Sequence, residues 1–317
     1  MNRLLTTIAA VALMAAILVA ASPASAQERK ISRFYSAWFV SPQIGFALAD
    51  VENGNVDVMQ TANGGQSWTP AYSFRPDNDL GWMYFYDQKR GWIVGQKRIW
   101  MTTNGGKNWG KLGIPREFEL KKLRFIAASK GYVIGSPPYG SGGPTVLVTT
   151  NAGQTWTPDK YQPGSVQDYS VVDEADIWMV DESGASLSID KGKTWTRKLE
   201  KTGLVAVSFP DKGHGAVSAG NVVSCTSDGG TTWKDSKVED AQPFTQLFFV
   251  DATTGFAWAE GQLYGTKDGC ATWTKLQDPH GPPWFFDANT GWAQDLSGTM
   301  WWTTNGGATF ESRELKQ

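Results

Sequence analysis

The stretch TSDGGTTW, from Thr226 to Trp233, decides the fold because close variants of it recur along the chain. The seven copies are TANGGQSW from Thr61, TTNGGKNW from Thr102, TTNAGQTW from Thr149, SIDKGKTW from Ser188, TSDGGTTW from Thr226, TKDGCATW from Thr266 and TTNGGATF from Thr303. Their final aromatic residues, Trp68, Trp109, Trp156, Trp195, Trp233, Trp273 and Phe310, are 41, 47, 39, 38, 40 and 37 residues apart. A period of about 40 residues is typical of one four-stranded propeller blade.

Each copy has the chemistry of a tight hairpin turn. An Asp or Asn at its third position can accept hydrogen bonds from nearby backbone N–H groups, and glycine at its fifth position adopts positive φ without steric cost. The third positions are Asn63, Asn104, Asn151, Asp190, Asp228, Asp268 and Asn305. The final aromatic side chain buries ~150–250 Å², which at about 25 cal/mol per Å² contributes roughly 4–6 kcal/mol before entropy. We therefore expect these boxes to be structural, and not catalytic or calcium-binding.

Upstream of the boxes a common strand pattern returns. In the second unit it reads Trp82 to Asp87, then Gly91-Trp92-Ile93-Val94-Gly95, then Ile99 to Thr102. Gly, Asn and Asp clusters separate such short apolar strands, and no long segment has helical apolar spacing. The predicted fold class is all-β, a seven-bladed β-propeller with one box turn per blade. Ring closure is left open: either residues 27–33 pair into blade seven, or the C-terminal strand completes its own blade, as the box register suggests.

The consensus of the copies, S/T-x-D/N-x-G-x-T/S-W, is the Asp-box, or bacterial neuraminidase repeat. Seven Asp-boxes at this spacing, most of them preceded by a Gly-aromatic strand such as Gly91-Trp92, resemble the photosystem II assembly and stability factor family of seven-bladed propellers. The resemblance implies a lumenal or periplasmic, non-enzymatic scaffold that helps to assemble a membrane protein complex. Two positions depart from the pattern, since Cys270 replaces the box glycine in unit six and Phe310 replaces tryptophan in unit seven.

Residues 1–26 are predicted to be a cleaved signal peptide. Arg3 precedes the apolar run from Leu4 to Ala21, and Ala24-Ser25-Ala26 forms an A-x-A cleavage site. An uncleaved signal anchor is the alternative, because the run approaches membrane-spanning length. Residues 27–317 are then a single propeller domain, exported to the periplasm, or to the thylakoid lumen if the host is phototrophic.

The charge balance does not indicate a nucleic-acid partner or insertion of the mature chain into a membrane. The chain carries 29 Lys and Arg against 31 Asp and Glu, a formal net charge of −2. The two histidines, His214 and His280, fall on opposite faces of the predicted propeller, so that a shared catalytic or metal site is not expected. We expect a monomer without cofactor or metal.

Positive charge is concentrated in residues 89–130, which contain eleven basic side chains against two acidic ones. One hypothesis is a docking patch for a membrane protein complex subunit or an acidic polypeptide segment. This predicted docking patch consists of Lys97, Arg98, Arg116, Lys121 and Tyr139. In the resembled family a basic, arginine-rich patch is associated with binding the reaction-centre protein, which favours this hypothesis. The alternative is a solvated surface with charges scattered over both faces.

A periplasmic or secreted sialidase-like or other glycan-active hydrolase is the alternative function. Sialidases share the Asp-box but need an F/Y-R-I-P motif ahead of the boxes, whereas this chain has Phe74-Arg75-Pro76 after the first box. A glycosidase also needs a pair of carboxylates. The acidic residues predicted to share one face are Asp50, Glu52, Asp181, Glu182, Glu260 and Asp295. Because only an analogy of fold supports this interpretation, no catalytic residue is predicted.

Cys225 and Cys270 are the only cysteines of a chain predicted to be exported, which favours a disulfide. Their positions argue against one, because they fall in adjacent blades whose outer parts diverge. A bridge requires Cα atoms within about 7 Å of each other. The pairing is therefore left open.

Overall fold

In the computed structural model, the described residues are 31–52, 54–75, 78–95, 98–113, 119–136, 146–158, 166–173 and 175–313. They form seven sheets of four strands, and in every sheet the strands neighbour one another in chain order. Within these ranges there is no helix, and hence none with the length and apolarity to span a membrane. The predicted fold class is confirmed: the protein is an all-β, seven-bladed β-propeller.

Blades one to four contain the first sixteen strands. Blade one consists of β1 (Ile31–Phe39), β2 (Gly45–Val51), β3 (Val56–Thr61) and β4 (Thr69–Phe74). Blade two consists of β5 (Trp82–Phe85), β6 (Gly91–Val94), β7 (Ile99–Thr102) and β8 (Gly110–Leu112). Blade three consists of β9 (Glu119–Phe125), β10 (Gly131–Ser136), β11 (Val146–Thr149) and β12 (Thr157–Pro158). Blade four consists of β13 (Asp168–Val171), β14 (Ile177–Asp181), β15 (Gly184–Ser188) and β16 (Thr196–Glu200).

Blades five to seven contain the remaining twelve strands. Blade five consists of β17 (Leu204–Ser208), β18 (Gly215–Ala219), β19 (Val222–Thr226) and β20 (Lys234–Lys237). Blade six consists of β21 (Gln246–Phe249), β22 (Gly255–Ala259), β23 (Gln262–Thr266) and β24 (Thr274–Lys275). Blade seven consists of β25 (Pro283–Phe285), β26 (Gly291–Gln294), β27 (Met300–Thr303) and β28 (Glu311–Arg313).

The Gly-aromatic pattern marks the point where the first strand of a blade turns into the second. Gly45 pairs with Phe39, and a Cβ atom on Gly45 would lie only 2.4 Å from the Phe39 ring. Five other blades repeat this close approach to a phenylalanine ring, at Gly91, Gly131, Gly215, Gly255 and Gly291. Blade four, whose sequence lacks the glycine, pairs Ile177 with Val171. The glycine is thus needed wherever a phenylalanine ring lies across the start of the second strand.

The Asp-boxes close the turns between third and fourth strands. In blade five the Thr226 hydroxyl donates to the Asp228 carboxylate (2.8 Å) and accepts from the Gly230 N–H (2.9 Å). Asp228 also accepts from the Thr232 N–H (2.9 Å), and the Trp233 indole donates to the Gly230 carbonyl (3.2 Å). The other six boxes repeat the hydroxyl-to-Asp or hydroxyl-to-Asn bond. The polar side chains of the boxes are therefore engaged within the turn.

Neighbouring blades touch at their box turns and along their first strands. A Cβ atom on Gly106, at the fifth position of box two, would lie 3.3 Å from Val58 in β3 of the preceding blade. Near the central axis, the Ser36 hydroxyl accepts a hydrogen bond from the Met83 N–H of the next blade, at 2.9 Å. Blades one and two are thus held together at more than one distance from the central axis.

The ring closes between blades seven and one without a shared strand among the described residues, because β28 completes blade seven. The Gln294 amide donates to the Phe34 carbonyl at 3.1 Å. The Arg313 guanidinium donates to the Gly64 carbonyl and lies 4.2 Å from the Trp302 ring centroid. Of the two closure modes left open by the sequence, the C-terminal strand completing its own blade is the one observed, while residues 27–30 lie outside the described ranges.

Candidate functional site

The strand order gives all seven blades the same orientation, so that the propeller has two distinct faces. Because each antiparallel strand reverses direction, the turns between second and third strands share one face with the connections between blades. We call this the entry face. The Asp-boxes and the turns between first and second strands lie on the opposite face, which we call the box face.

Of the predicted docking patch, the structure fully describes only Arg98. This half-buried residue ends the β6–β7 turn on the entry face, where its carbonyl accepts from the Gly95 N–H (2.8 Å). Within the described part of the chain, no carboxylate lies at ion-pair distance from Arg98. Lys97, Arg116 and Tyr139 lie outside the described residues, and the side chain of Lys121 is not described either. The patch as a whole stays a prediction.

The other basic side chains of residues 89–130 do not gather on one face. Lys89 and Lys107 lie on the box face, and Arg90 is ion-paired there with Asp87. Lys122 and Arg124 belong to β9 and line the central channel. These described charges are therefore scattered, as the alternative interpretation predicted.

Among the acidic residues predicted to share the entry face, Asp181 is buried and held by hydrogen bonds. Its carboxylate accepts hydrogen bonds from the N–H groups of Ser183 (2.8 Å) and Gly184 (3.0 Å) and pairs with Arg197 (2.9 Å). Burial acts to raise the pKa of Asp181, but the hydrogen bonds from Arg197 and Ser183 outweigh it and hold the pKa below its ordinary value. The carboxylate stays ionised at neutral pH.

Asp295 has a similar environment in the β26–β27 turn. It accepts from the Ser297 hydroxyl (2.6 Å), the Thr299 N–H (3.0 Å) and the Trp301 indole (3.0 Å). Burial opposes ionisation here too, yet the hydrogen bonds lower the pKa of Asp295. Asp50 pairs with Arg33 at 3.3 Å. The remaining acidic candidates, Glu52, Glu182 and Glu260, are exposed.

The two histidines have separate surroundings. His214 lies on the box face, with its Nδ1 atom 3.1 Å from both Asp211 carboxylate oxygens. His280 lies in the connection between blades six and seven on the entry face, with its ring centroid 4.0 Å from that of Trp301. Across the described ranges, no group of three or more His, Cys, Asp or Glu side chains could hold a metal ion.

Cys225 and Cys270 form a disulfide with Cα atoms 6.4 Å apart. Cys270 occupies the fifth position of box six with φ 78°, where other boxes have glycine, and its N–H still donates to the Thr266 hydroxyl (3.1 Å). This fifth position packs toward the third strand of the preceding blade, as Gly106 does toward Val58. The two blades approach each other here although their outer parts diverge, because the turn of box six leans back over the preceding blade.

A central channel runs between the first strands of all seven blades and has a volume of about 530 Å³. Near its box-face end, each blade contributes one residue, and we call this set the lower ring. It consists of Trp38, Tyr84, Arg124, Ser170, Ser208, Phe248 and Trp284. Two residues earlier along their strands lie Trp82, Lys122, Asp168 and Gln246, which we call the upper ring. The upper ring is nearer the entry face, since every first strand begins on that face.

Aromatic side chains from four blades make contact in the lower ring. The Trp38 ring centroid lies 5.0 Å from that of Tyr84 and 5.1 Å from that of Trp284. Phe248 meets Trp284 edge to face at 5.1 Å. From blade three, the Arg124 guanidinium reaches to 5.5 Å from the Trp284 ring centroid. The channel therefore has an aromatic floor with one cation on it.

Sequence reasoning missed this channel, although a signal for it exists. In six blades the lower-ring residue directly precedes the phenylalanine that contacts the glycine of the second strand. These pairs are Trp38-Phe39, Tyr84-Phe85, Arg124-Phe125, Ser208-Phe209, Phe248-Phe249 and Trp284-Phe285. Since side chains alternate along a strand, a phenylalanine between blades places its predecessor toward the axis.

Seven four-stranded blades, each closed by an Asp-box turn, define this chain as an Asp-box β-propeller. Within that class, residues 74–205 match the family described as photosynthesis system II assembly factor YCF48. The resemblance to the photosystem II assembly factor family that the sequence predicted is confirmed. The chain is also 22% identical over 270 residues to the photosystem II assembly lipoprotein Ycf48 of Synechococcus sp. (strain CC9902), over 67% of this chain and 78% of that relative.

Solved structures share the fold at low sequence identity. YCF48 from Cyanidioschyzon merolae is 18% identical with a TM-score of 0.61, over 86% of this chain and 95% of that chain. A YCF48 bound to D1 peptide is 20% identical with a TM-score of 0.56, over 74% of this chain and 80% of that chain. An ancestral GH74 enzyme is 13% identical with a TM-score of 0.58, over 89% of this chain but 44% of that chain.

Proposed function

We propose that this protein is an exported, non-enzymatic scaffold that binds a segment of a membrane protein complex subunit and assists assembly of that complex. The observation that carries the proposal is the family match over residues 74–205, which includes the whole basic segment 89–130. Where the host has photosystem II, that complex is the proposed client. The related YCF48 bound to D1 peptide supports a polypeptide segment as the kind of partner.

The proposed binding surface is the entry face around blades two and three. Arg98, a cation there without an ion-pair partner among the described residues, supports this placement. Lys97, Arg116, Lys121 and Tyr139 complete the proposed patch. Complementary charge speeds association and selects partners, so an acidic or carboxylate-bearing segment is the proposed ligand.

The surroundings of the entry-face acids favour a scaffold over the alternative glycan-active hydrolase. A glycosidase needs a general acid with a raised pKa beside a second carboxylate. The pKa values of Asp181 and Asp295 are instead lowered, by hydrogen bonds that also hold both side chains in their turns. The likeness to the GH74 enzyme concerns the fold alone, and folds host many chemistries.

The proposed location follows from residues 1–26. A cleaved signal peptide delivers the mature chain, as a monomer, to the periplasm, or to the thylakoid lumen in a phototroph. The Synechococcus relative is named a lipoprotein, whereas residues 1–26 of this chain contain no cysteine for lipid attachment.

The test is affinity capture of the tagged mature protein after in-cell crosslinking, with partners identified by mass spectrometry. Arg98→Glu, alone and with Arg116→Glu, is expected to reduce recovery of one membrane-complex subunit. The difference from wild type is expected to shrink as the salt concentration rises, because screening weakens the charge interaction that these substitutions remove. Lys107→Glu makes the same charge change on the box face and is the matched control.

The proposal predicts capture by wild type and Lys107→Glu but reduced capture by the Arg98 variants. Equal capture by all of them would contradict the placement on the entry face. Absence of any specific partner, together with hydrolysis of a glycan that the wild type catalyses, would favour the alternative function.

A further inference from the structure

The central channel has the dimensions and lining of a small-molecule site. Its volume of about 530 Å³ falls within the roughly 300–1,000 Å³ of typical ligand pockets, which combine apolar walls with a few polar groups. Seven aromatic residues line it: Trp38, Trp82, Tyr84, Tyr169, Phe248, Trp284 and Trp292. Val205, in the first strand of blade five, is 38% exposed although it lines the channel, so that solvent reaches this wall.

The two cations of the channel differ in their partners. Lys122 forms an ion pair with Asp168, which neutralises it. Arg124, two residues along the same strand, has no carboxylate at ion-pair distance in the described ranges, and its guanidinium faces the Trp284 ring. A guanidinium offers paired N–H donors that match a carboxylate, and the face of an aromatic ring leaves those donors unused.

Two further polar atoms of the channel wall lack hydrogen-bond partners. They are the Gln246 amide oxygen and the Tyr169 hydroxyl, and both atoms are buried. Burial raises the pKa of Tyr169, and the positive charge of Arg124 acts in the opposite direction. Buried polar groups are usually paired, so unpaired ones around a cavity indicate a missing partner.

We propose that the channel binds a small organic carboxylate with an aromatic or apolar body and a hydrogen-bond donor. The carboxylate pairs with Arg124, the body packs against the aromatic floor, and the donor reaches the Gln246 amide oxygen. Neither Arg98 nor any other residue of the docking patch takes part. The proposal therefore does not rest on the protein-binding function.

The test is calorimetric titration of the mature protein with N-acetyl-L-phenylalanine and with its amide, N-acetyl-L-phenylalaninamide. These probes share the aromatic body and an N–H donor but differ in the carboxylate. We expect saturable binding of the acid, with the amide roughly tenfold or more weaker, because hydrogen bonds to charged groups contribute more than neutral ones.

Three variants locate the site. Arg124→Gln keeps a hydrogen-bond donor but removes the charge, and is expected to weaken binding of the acid to the level of the amide. Val205→Trp is expected to fill the channel and abolish binding of both probes. Arg98→Gln removes a cation outside the channel and is the matched control, with binding expected as in wild type.

Equal affinity for acid and amide would overturn the proposal, as would unchanged binding by folded Arg124→Gln. Failure of the wild-type protein to bind the acid saturably would overturn it as well. None of these results bears on partner capture, which depends on Arg98, so the two proposals can fail separately.

Discussion

Blades five and six and blades seven and one meet at two interfaces that are held by different means. The first, which we call the stapled seam, carries the Cys225–Cys270 disulfide. The second, the closing seam, joins the two ends of the propeller through an aromatic cluster that includes Phe39, Trp292 and Trp302. The covalent bond therefore does not lie where the ring closes. Aromatic packing and a few hydrogen bonds are sufficient to close the ring, whereas the disulfide lies where the turn of box six approaches β19 of the preceding blade.

The largest effect is expected from breaking the closing seam. Phe39 is buried, with its ring centroid 4.8 Å from that of Trp302 and 5.1 Å from that of Trp292. Phe39→Ala removes these contacts and leaves a cavity, which is expected to lower the free energy of unfolding by about 3–5 kcal/mol. Denaturant unfolding measures the loss. Leu296→Ala, at a fully exposed side chain, is the control, and an equal change in both variants would contradict the importance of this packing.

A smaller effect is expected from removing the disulfide of the stapled seam. The bond spans 45 residues, and the restriction of the unfolded chain by a disulfide typically contributes about 2–4 kcal/mol. Cys225→Ala/Cys270→Ala is expected to lower the free energy of unfolding by about that amount. Denaturant unfolding of the oxidised wild type and of the double variant measures the difference.

A matched variant separates the contribution of the disulfide from the cost of the backbone conformation at position 270. Alanine at position 270 must adopt the φ of 78° that Cys270 has. This conformation costs a residue other than glycine about 1–2 kcal/mol. Cys225→Ala/Cys270→Gly restores the box glycine and is expected to be more stable than the double alanine variant by about 1 kcal/mol. If the two variants were equally stable, box six would not need glycine at this position.

The smallest predicted effect is a difference between the two seams in how their stability depends on pH. Blades five and six carry Asp228 and Asp268 in their boxes, where blades seven and one carry Asn305 and Asn63. Hydrogen bonds from Thr232 and Thr272 lower the pKa of Asp228 and Asp268 from 3.8 to about 2. Because the folded pKa lies below the unfolded one, this stabilisation is present above about pH 4 and is lost as the pH falls toward about 2.

Thermal unfolding between those pH values measures the effect. The wild-type melting temperature is expected to fall with acidification. Asp228→Asn/Asp268→Asn is expected to reduce the slope of melting temperature against pH. Asn63→Asp provides the reverse test, since it introduces a titrating box at the closing seam and is expected to increase the slope. An unaltered slope in both variants would assign the acid sensitivity to other groups.

The sequence was sufficient to predict the blades because the information is local and repeated. The Asp-boxes act within eight residues, and the phenylalanine-to-glycine contact, as at Phe39 and Gly45, spans a single turn. These short-range requirements recur in fixed order, so that their spacing determines both the number of blades and the faces of the propeller.

Contacts between blades were harder to predict, because they depend on how the blades pack around the axis. The Cys225–Cys270 bond requires box six to lean over β19, which the spacing of the boxes does not reveal. Arg124 reaches Trp284 across the channel from a blade three places away around the ring. In the predicted docking patch, only Arg98 has a described side chain, so the proximity of its members stays a prediction.

The central claim, that the entry face binds a membrane-complex subunit, is tested most directly by site-specific photo-crosslinking in the native host. A benzoylphenylalanine photo-crosslinker replaces either Gly113 or Ile189. Gly113 is exposed on the entry face between blades two and three, where an added Cβ atom meets nothing within 4 Å among the described residues, and Ile189 is 69% exposed on the box face. We expect a crosslink to one membrane-complex subunit from position 113 and none from position 189. A crosslink to such a subunit from position 189 alone, or from neither position, would contradict the claim.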